Sequence, residues 1–142
     1  MARVKINFPE RTLFSTSLPV RITDLNYGNH LANDAVLAIA HEARMQWLAQ
    51  WGYTELSAGE HGLIMADAEI SYKGEAFFGD VLTITLYAGE ISRHGFELLY
   101  RITTERNNAA IEIAHIKTGL VSFDYDTRKV VALSKKFQEK LA

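Results

Sequence analysis

Asp24-Leu25-Asn26-Tyr27-Gly28-Asn29-His30-Leu31-Ala32-Asn33-Asp34 is a polar, turn-prone stretch holding three Asn, two Asp, a Gly and a His. A largely apolar run, Ala35 to Trp51, follows it at once. The pairing of a polar loop with the start of an apolar helix sets both the fold and the site. The first-turn N–H groups of a helix have no intrahelical partner, and the positive end of the helix dipole lies there. Such an end can hold a carboxylate, a phosphate or the oxygen of a polarised carbonyl. The simpler reading of the same residues is a helix entry with Asn33 as N-cap and Asp34 in the first turn.

The spacing predicts a helix over Asp34 to Gln50, about 25 Å long at 1.5 Å per residue. Val36, Ile39, Ala40, Ala43 and Trp47 recur at helical spacing. Leu37, Ala38, Met45 and Leu48 add apolar groups on other sides, leaving a polar line of Glu42, Gln46 and Gln50. A helix this apolar is expected to be covered over most of its circumference. Gly52 is placed to end it.

Most of the remaining sequence reads as strands. Leu13 to Ile22 is a first strand, and Pro19 within it indicates an edge or a bulge, because proline donates nothing to the ladder. Leu63 to Tyr72 alternates, with Ile64, Ala66, Ala68, Ile70 and Tyr72 on one face. Val81 to Ala88, Phe96 to Thr104 and Ala110 to Phe123 follow, separated by turn residues at Ser92–Gly95 and Arg106–Asn108. Val130 to Leu133 reads as a short strand and Ser134 to Leu141 as a terminal helix. A long apolar helix followed by antiparallel strands on short turns is an α+β pattern. Wrapping the sheet around the helix is the simplest way to bury it. The sheet edges left over point to a homodimer by edge pairing.

Bulk composition narrows the function classes. Residues 1–142 are most simply one domain. An apolar content of 48%, a charged content of 23% and a net charge of −2 suit a soluble globular protein and give no reason to expect nucleic acid or an anionic membrane as partner. The absence of cysteine excludes disulfides, thiol chemistry and cysteine metal sites, and a reducing cytoplasm is the default compartment. The N-terminus shows no signal-peptide stretch, and no apolar run approaches a membrane span. His41, His61, His94 and His115 lack metal-ligand spacing, so no metal is expected. No G-x-S-x-G elbow is present to support a serine hydrolase.

Four segments, in order along the chain, resemble the hotdog-fold thioesterases of the 4-hydroxybenzoyl-CoA thioesterase-like group. Val20 to Asp24 with His30 to Asn33 is similar to that group's D-x-D-x-x-G-H-x-N-N entry. His41-Glu42-Ala43-Arg44-Met45-Gln46-Trp47-Leu48 resembles its E-E-A-R-x-x-W-L helix. Ile70-Ser71-Tyr72 with Phe78-Gly79-Asp80 resembles its I-x-Y strand and following G-D turn. Lys117 to Asp124 with Thr127-Arg128-Lys129 resembles its last long strand and turn. The resemblance implies a hotdog fold, an antiparallel sheet wrapped around one long central helix, with two chains paired edge to edge. It implies a cofactor-free site beside the helix N-terminus at the dimer interface, where an acyl-CoA thioester carbonyl meets the helix-start N–H groups and an aspartate acts as base or nucleophile.

The sequence departs from that pattern at Asn26, which falls where the second Asp of the motif usually sits. Asn is neutral and takes no proton from water, though it can hydrogen-bond a water or a carbonyl. Another carboxylate is therefore needed for hydrolysis. Glu42 is the first choice, since burial on the helix would favour base chemistry; its competing role is a salt bridge to Arg21 or Arg44. Asp24 is the second, and holding the turn through loop amides is its simpler role. His30 is a carbonyl donor or water-positioning group, or a helix cap. Asp34 sits where the dipole stabilises it and could compete with a substrate oxyanion. Asp67 and Glu69 are expected to face outward, and Arg93 and Lys117 are candidates for CoA phosphates.

These readings give a thioester hydrolase of the acyl-CoA type. Asn26, Glu42, Asp24 and His30 are its expected catalytic group. Tyr27, Gly28, Asn33, Asp34 and Ala35 are its expected substrate-binding group. The partner is an acyl-CoA or acyl-carrier-protein thioester, and the assembly a homodimer or a dimer-of-dimers tetramer. The alternative is a hotdog protein that binds acyl thioesters without hydrolysing them, having Asn26 in place of the acid.

Overall fold

A computed structural model describes residues 3–142. Strand β1 (Phe14–Pro19) leads through a 3-10 turn at Ile22–Asp24 and the polar loop into helix α1 (Asn33–Ala49). Four long strands follow, β2 (Gly62–Tyr72), β3 (Val81–Ile91), β4 (Gly95–Arg106) and β5 (Ala109–Asp124). A two-residue β6 (Lys129–Val130) and helix α2 (Lys135–Leu141) complete the chain. All pairings are antiparallel, in the order β1-β3-β4-β5-β2, with β6 added to β5. This is the hotdog architecture: one antiparallel sheet with the long helix against its concave face.

Alternation decides which face of the sheet meets α1. Phe96, Leu98, Tyr100 and Ile102 of β4 are buried in one phase, beside Leu82, Ile84 and Leu86 of β3 and Ile116 and Leu120 of β5. Against them α1 lays Val36, Ile39, Ala40, Ala43, Trp47 and Leu48. Trp47 makes edge contacts with Phe96 and with Phe137 of α2, which closes one end of the core. Ser134 caps α2 by accepting the Phe137 N–H at 3.1 Å. Pro19 ends β1, an edge strand, where a missing N–H costs no ladder bond. Gly52, at φ +70°, stops α1: its N–H donates to Ala49 O and that of Tyr53 to Leu48 O, both at 3.1 Å.

The structure differs from the sequence reading in four places. β1 is shorter than Leu13–Ile22, because Ile22 to Asp24 close a 3-10 turn. The strand read at Val130–Leu133 pairs only at Lys129–Val130. β2 does not keep one alternating face; a register shift between Met65 and Asp67 breaks its phase, and Met65 to Glu69 are exposed along a free edge. Helix α1 is not covered over most of its circumference. The sheet takes one side, leaving Ala38, His41 and Glu42 exposed and Leu37 and Met45 half-buried. Among the described residues, no helix is long and apolar enough to cross a membrane.

Candidate functional site at the start of the long helix

The loop ahead of α1 is a small hairpin. Leu25 and Leu31 form an isolated bridge, the Asn26 N–H donates to His30 O at 3.0 Å, and the Asn29 N–H donates to Asn26 O at 3.0 Å. Asn29 takes the left-handed φ of 63° that Asn tolerates better than most residues. The Asn26 side-chain oxygen accepts the Gly28 N–H at 2.9 Å. A methyl group built on Gly28 would lie 3.2 Å from that oxygen and 3.3 Å from His30 Nε2, so Asn26 and His30 converge on one point. Tyr27 is fully exposed at the tip.

The N-cap of α1 is Ala32, not Asn33, and no side chain caps the helix. Asn33 is instead the first helical residue, with its side chain exposed. The Ala32 N–H donates to Asp24 O at 2.9 Å and the Ala35 N–H to Ala32 O at 3.1 Å. The N–H groups of Asn33 and Asp34 have no acceptor among the described residues. Of the three amides expected to bind substrate, Ala35 is therefore committed and the other two are free. Giving up a side-chain cap costs a helix about 1 kcal/mol, and here it leaves two donors open at the positive end of the dipole.

Three clefts surround α1. A loop cleft of about 280 Å³ is lined by His30, Leu31, Asn33, Val36, Tyr72 and Ile113, among others. Tyr72 donates its hydroxyl to Asn33 O at 3.1 Å across its mouth. An edge cleft of about 360 Å³, toward β2, is lined by Asp34, Leu37, Ala38, His41, Arg44, Glu55 and Met65. A third, of about 200 Å³, lies toward β1 between Leu18, Pro19, Arg21, Asp24, Ala38, Ile39 and Glu42.

That partition separates the expected bases from the free amides. Asp24 and Glu42 share the β1 cleft, whereas Asn33 and Asp34 line the other two. Asp24 is buried and held by Arg21, whose backbone N–H, Nε and Nη2 approach its carboxylate at 2.9, 3.3 and 3.1 Å. Burial pushes this carboxyl up, but the hydrogen bonds and charge of Arg21 outweigh it and hold it below the usual range. Glu42 is exposed rather than buried, so the burial argument for base chemistry does not hold. It forms neither expected salt bridge: Arg21 is taken by Asp24 and Arg44 by Glu55, and Glu42 accepts only from Gln46, at 2.8 Å.

Arg44 opens a feature that sequence reasoning missed. It is 4% exposed on an otherwise apolar helix face. Its Nε donates to Glu55 Oε2 at 3.1 Å and its Nη1 to the Tyr100 hydroxyl at 2.8 Å. That hydroxyl shares a 2.7 Å hydrogen bond with Thr118 Oγ1, and both residues are fully buried. Burial pushes the Tyr100 phenol up, keeping it neutral. The other Glu55 oxygen meets His41 Nε2 at 2.6 Å. The signal available in the sequence was a cation at position 44, between Ala40 and Trp47 in the apolar stripe.

On the outer face of the sheet, Glu69 pairs with Lys117 at 3.3 Å and Asp67 accepts the Gly119 N–H at 3.1 Å. Lys117 is also bound to Glu97 at 3.3 Å, so two carboxylates neutralise a charge considered for CoA phosphates.

Comparison with known proteins places this geometry in a family. The family model of the thioesterase-like superfamily matches residues 20–141. YbaW, described as a probable thioesterase, from Escherichia coli is 27% identical, with 89% of this chain and 95% of that chain covered and a TM-score of 0.74. A 1,4-dihydroxy-2-naphthoyl-CoA thioesterase from Synechocystis is 22% identical over 90% of this chain and 94% of its own, with a TM-score of 0.75. An Asp-to-Asn mutant of 4-hydroxybenzoyl CoA thioesterase, complexed with 4-hydroxybenzoyl CoA, is 14% identical over 91% of this chain and 98% of its own, with a TM-score of 0.81. Among curated proteins no significant match is found. With the match running from Val20 to Leu141, through the polar loop, α1 and every strand after it, the chain belongs to the thioesterase-like superfamily.

Proposed function

We propose that this protein, a single domain, hydrolyses an acyl thioester of the acyl-CoA type to the free acid and the thiol, without a cofactor. The observation that carries the reading is the uncapped start of α1. Two N–H groups at the helix start have no acceptor among the described residues, and their residues line two clefts with partly apolar walls. Donors of this kind stabilise the charge that develops on a carbonyl oxygen as water attacks, and they are fixed before the reaction begins. Asn26 and His30 converge on Gly28 in the hairpin that leads into that helix start, and Tyr72 donates to Asn33 O from β2. In this reading they orient substrate and water rather than move a proton.

Asn26 also supports a second reading, an acyl-thioester binding protein without turnover. Its side-chain oxygen is spent on Gly28, and an amide supplies no base. An Asp-to-Asn mutant of 4-hydroxybenzoyl CoA thioesterase is found in complex with 4-hydroxybenzoyl CoA, so a thioester can be held in this fold after such a change. Release of free CoA across short-chain, long-chain and aromatic acyl-CoAs separates the two. Turnover is the expected result. A raised melting temperature with no CoA released would establish the binding protein.

A further inference from the structure

We propose that Tyr72 is a positioning residue for the hydrolysis: its hydroxyl, acting through Asn33 O, orients and polarises the peptide whose N–H, that of Asp34, meets the thioester oxygen. The inference rests on the hydrolase reading above and deepens it, since it assigns what holds the donor at a helix start that has no cap.

Two peptide units frame that helix start. The Asp34 N–H belongs to the same planar peptide as Asn33 C=O, and Tyr72 donates to that oxygen at 3.1 Å. The Asn33 N–H belongs to the peptide of Ala32 C=O, which accepts the Ala35 N–H at 3.1 Å. Each open donor is thus fixed by a bond at the carbonyl end of its own peptide, one from the backbone and one from a side chain. A carbonyl oxygen has two lone pairs, so Asn33 O can take the hydroxyl beside the bond that a helix supplies from four residues on. A hydrogen bond at the oxygen also polarises the peptide and strengthens donation from its N–H.

An ordinary cap would work against the site. A Ser, Thr, Asp or Asn cap fixes a helix start by accepting the N–H of the second or third residue. That bond would consume the donor that a thioester oxygen needs. Ala32 supplies no such acceptor. Tyr72 holds the same turn from the other end of the peptide, and the N–H stays open at the positive end of the dipole.

A hydroxyl orients a peptide only if its own backbone is held. Tyr72 ends β2 opposite Ala114 of β5. The next two amides, of Lys73 and Gly74, both donate to Ile113 O, at 2.9 and 3.2 Å. A methyl group built on Gly74 would lie 2.6 Å from Glu112 O, so the chain presses onto β5 there. Two residues further on, Ala76 O accepts the Leu31 N–H at 2.8 Å. One segment, Tyr72 to Ala76, therefore grips the loop just before Ala32 and the helix just after it. The hydroxyl contact joins residues 39 apart in sequence, so the fold makes it and the helix alone does not. Tyr72 is 49% exposed; its ring lines the loop cleft with Asn33 and is not part of the core.

The test uses the full chain and the acyl-CoA that the wild type turns over fastest. Tyr72→Phe keeps the ring and removes the donor. It should lower kcat by about 3–10-fold with KM within about twofold, a smaller loss than the roughly 10²-fold of deleting an oxyanion donor outright. The Asp34 amide nitrogen resonance should move upfield, and the melting temperature should hold. Tyr125→Phe is the matched control. It removes a bond of the same kind, hydroxyl to Leu63 O at 3.1 Å, at the opposite end of β2, and should leave kcat unchanged. Wild-type kcat in Tyr72→Phe overturns the inference and leaves the hydrolase reading intact. A raised KM with the Asp34 resonance unmoved overturns it by assigning the hydroxyl to substrate binding. An equal loss of kcat in Tyr125→Phe overturns it by assigning both bonds to general stability. A wild type inert on every acyl-CoA overturns the hydrolase reading and this inference with it.

Discussion

Asp24 and Glu42 show how two carboxylates acquire opposite prospects from their surroundings. Asp24 accepts the Arg21 backbone N–H and two contacts from its guanidinium, and it fastens the 3-10 turn from which the site loop departs. Replacing Asp24 with Asn should cost about 1–3 kcal/mol, because a buried acceptor bound to a charged donor is exchanged for a neutral group. A fall in the urea midpoint at unchanged slope would show it; an unchanged midpoint would mean the turn holds without the charge. Glu42 carries no such duty, and it stands in a cleft without a free helix-start amide. Glu42→Gln should therefore change kcat/KM by less than about threefold, under ~0.7 kcal/mol of barrier. A hundredfold loss in CoA release would return the base to Glu42. The motif loop was legible in the sequence because Asn, Gly and Asp name a turn. The cap was not: Asn33 has the right chemistry for it, but the bond from Ala32 to Asp24 draws the chain in one residue earlier.

At the level of elements, hydrophobic periodicity identified α1, β3, β4 and β5 because each buries one dominant face, and it found β2 although that strand does not keep one. It failed where tertiary pairing decides. The shift at Met65/Asp67 in β2 leaves no mark on composition, and Glu55, the true partner of Arg44, lies eleven residues on in the loop after α1, outside any periodic pattern. Outer-face pairs across β4 and β5 were equally hidden. Arg101 of β4 grips Glu112 of β5 through two nitrogens at 2.8 and 2.7 Å, and His115 adds a contact at 2.8 Å. The Arg101 hydrogen bonds, reinforced by His115, pull the Glu112 carboxyl down to about 2 against the effect of burial. A carboxyl lowered in the folded state stabilises that state above its unfolded value, and the contribution drains away as pH falls through the folded value. Unfolding free energy should thus fall between roughly pH 4.5 and 2, and Glu112→Gln should flatten that part of the curve. A wild-type acid limb retained in the variant would assign it to other carboxylates.

Over the whole molecule, the sheet has two edges, managed differently. β1 is short and ends in Pro19, which blunts it against further pairing. β2 has eleven residues, its middle is exposed on both faces, and Met65 and Tyr72 remain accessible along it. The edge cleft with His41 and Asp34 opens beside that strand, and Met65 belongs to both. A long open edge next to a cleft that carries the free amide is the natural seam for a second copy, and antiparallel pairing about a two-fold axis would extend the sheet across it. Sedimentation should therefore give a species of twice the chain mass. Ala68→Asp, near the middle of β2, places like charges against each other across the axis and should shift the equilibrium to monomer. The coupling to function is the sharper part of the argument: if the partner helps wall the edge cleft, turnover per chain should fall with dilution in the variant and stay constant in the wild type. A monomeric wild type with concentration-independent turnover would show instead that one chain completes the site, and that the exposed face of α1 is simply its open mouth.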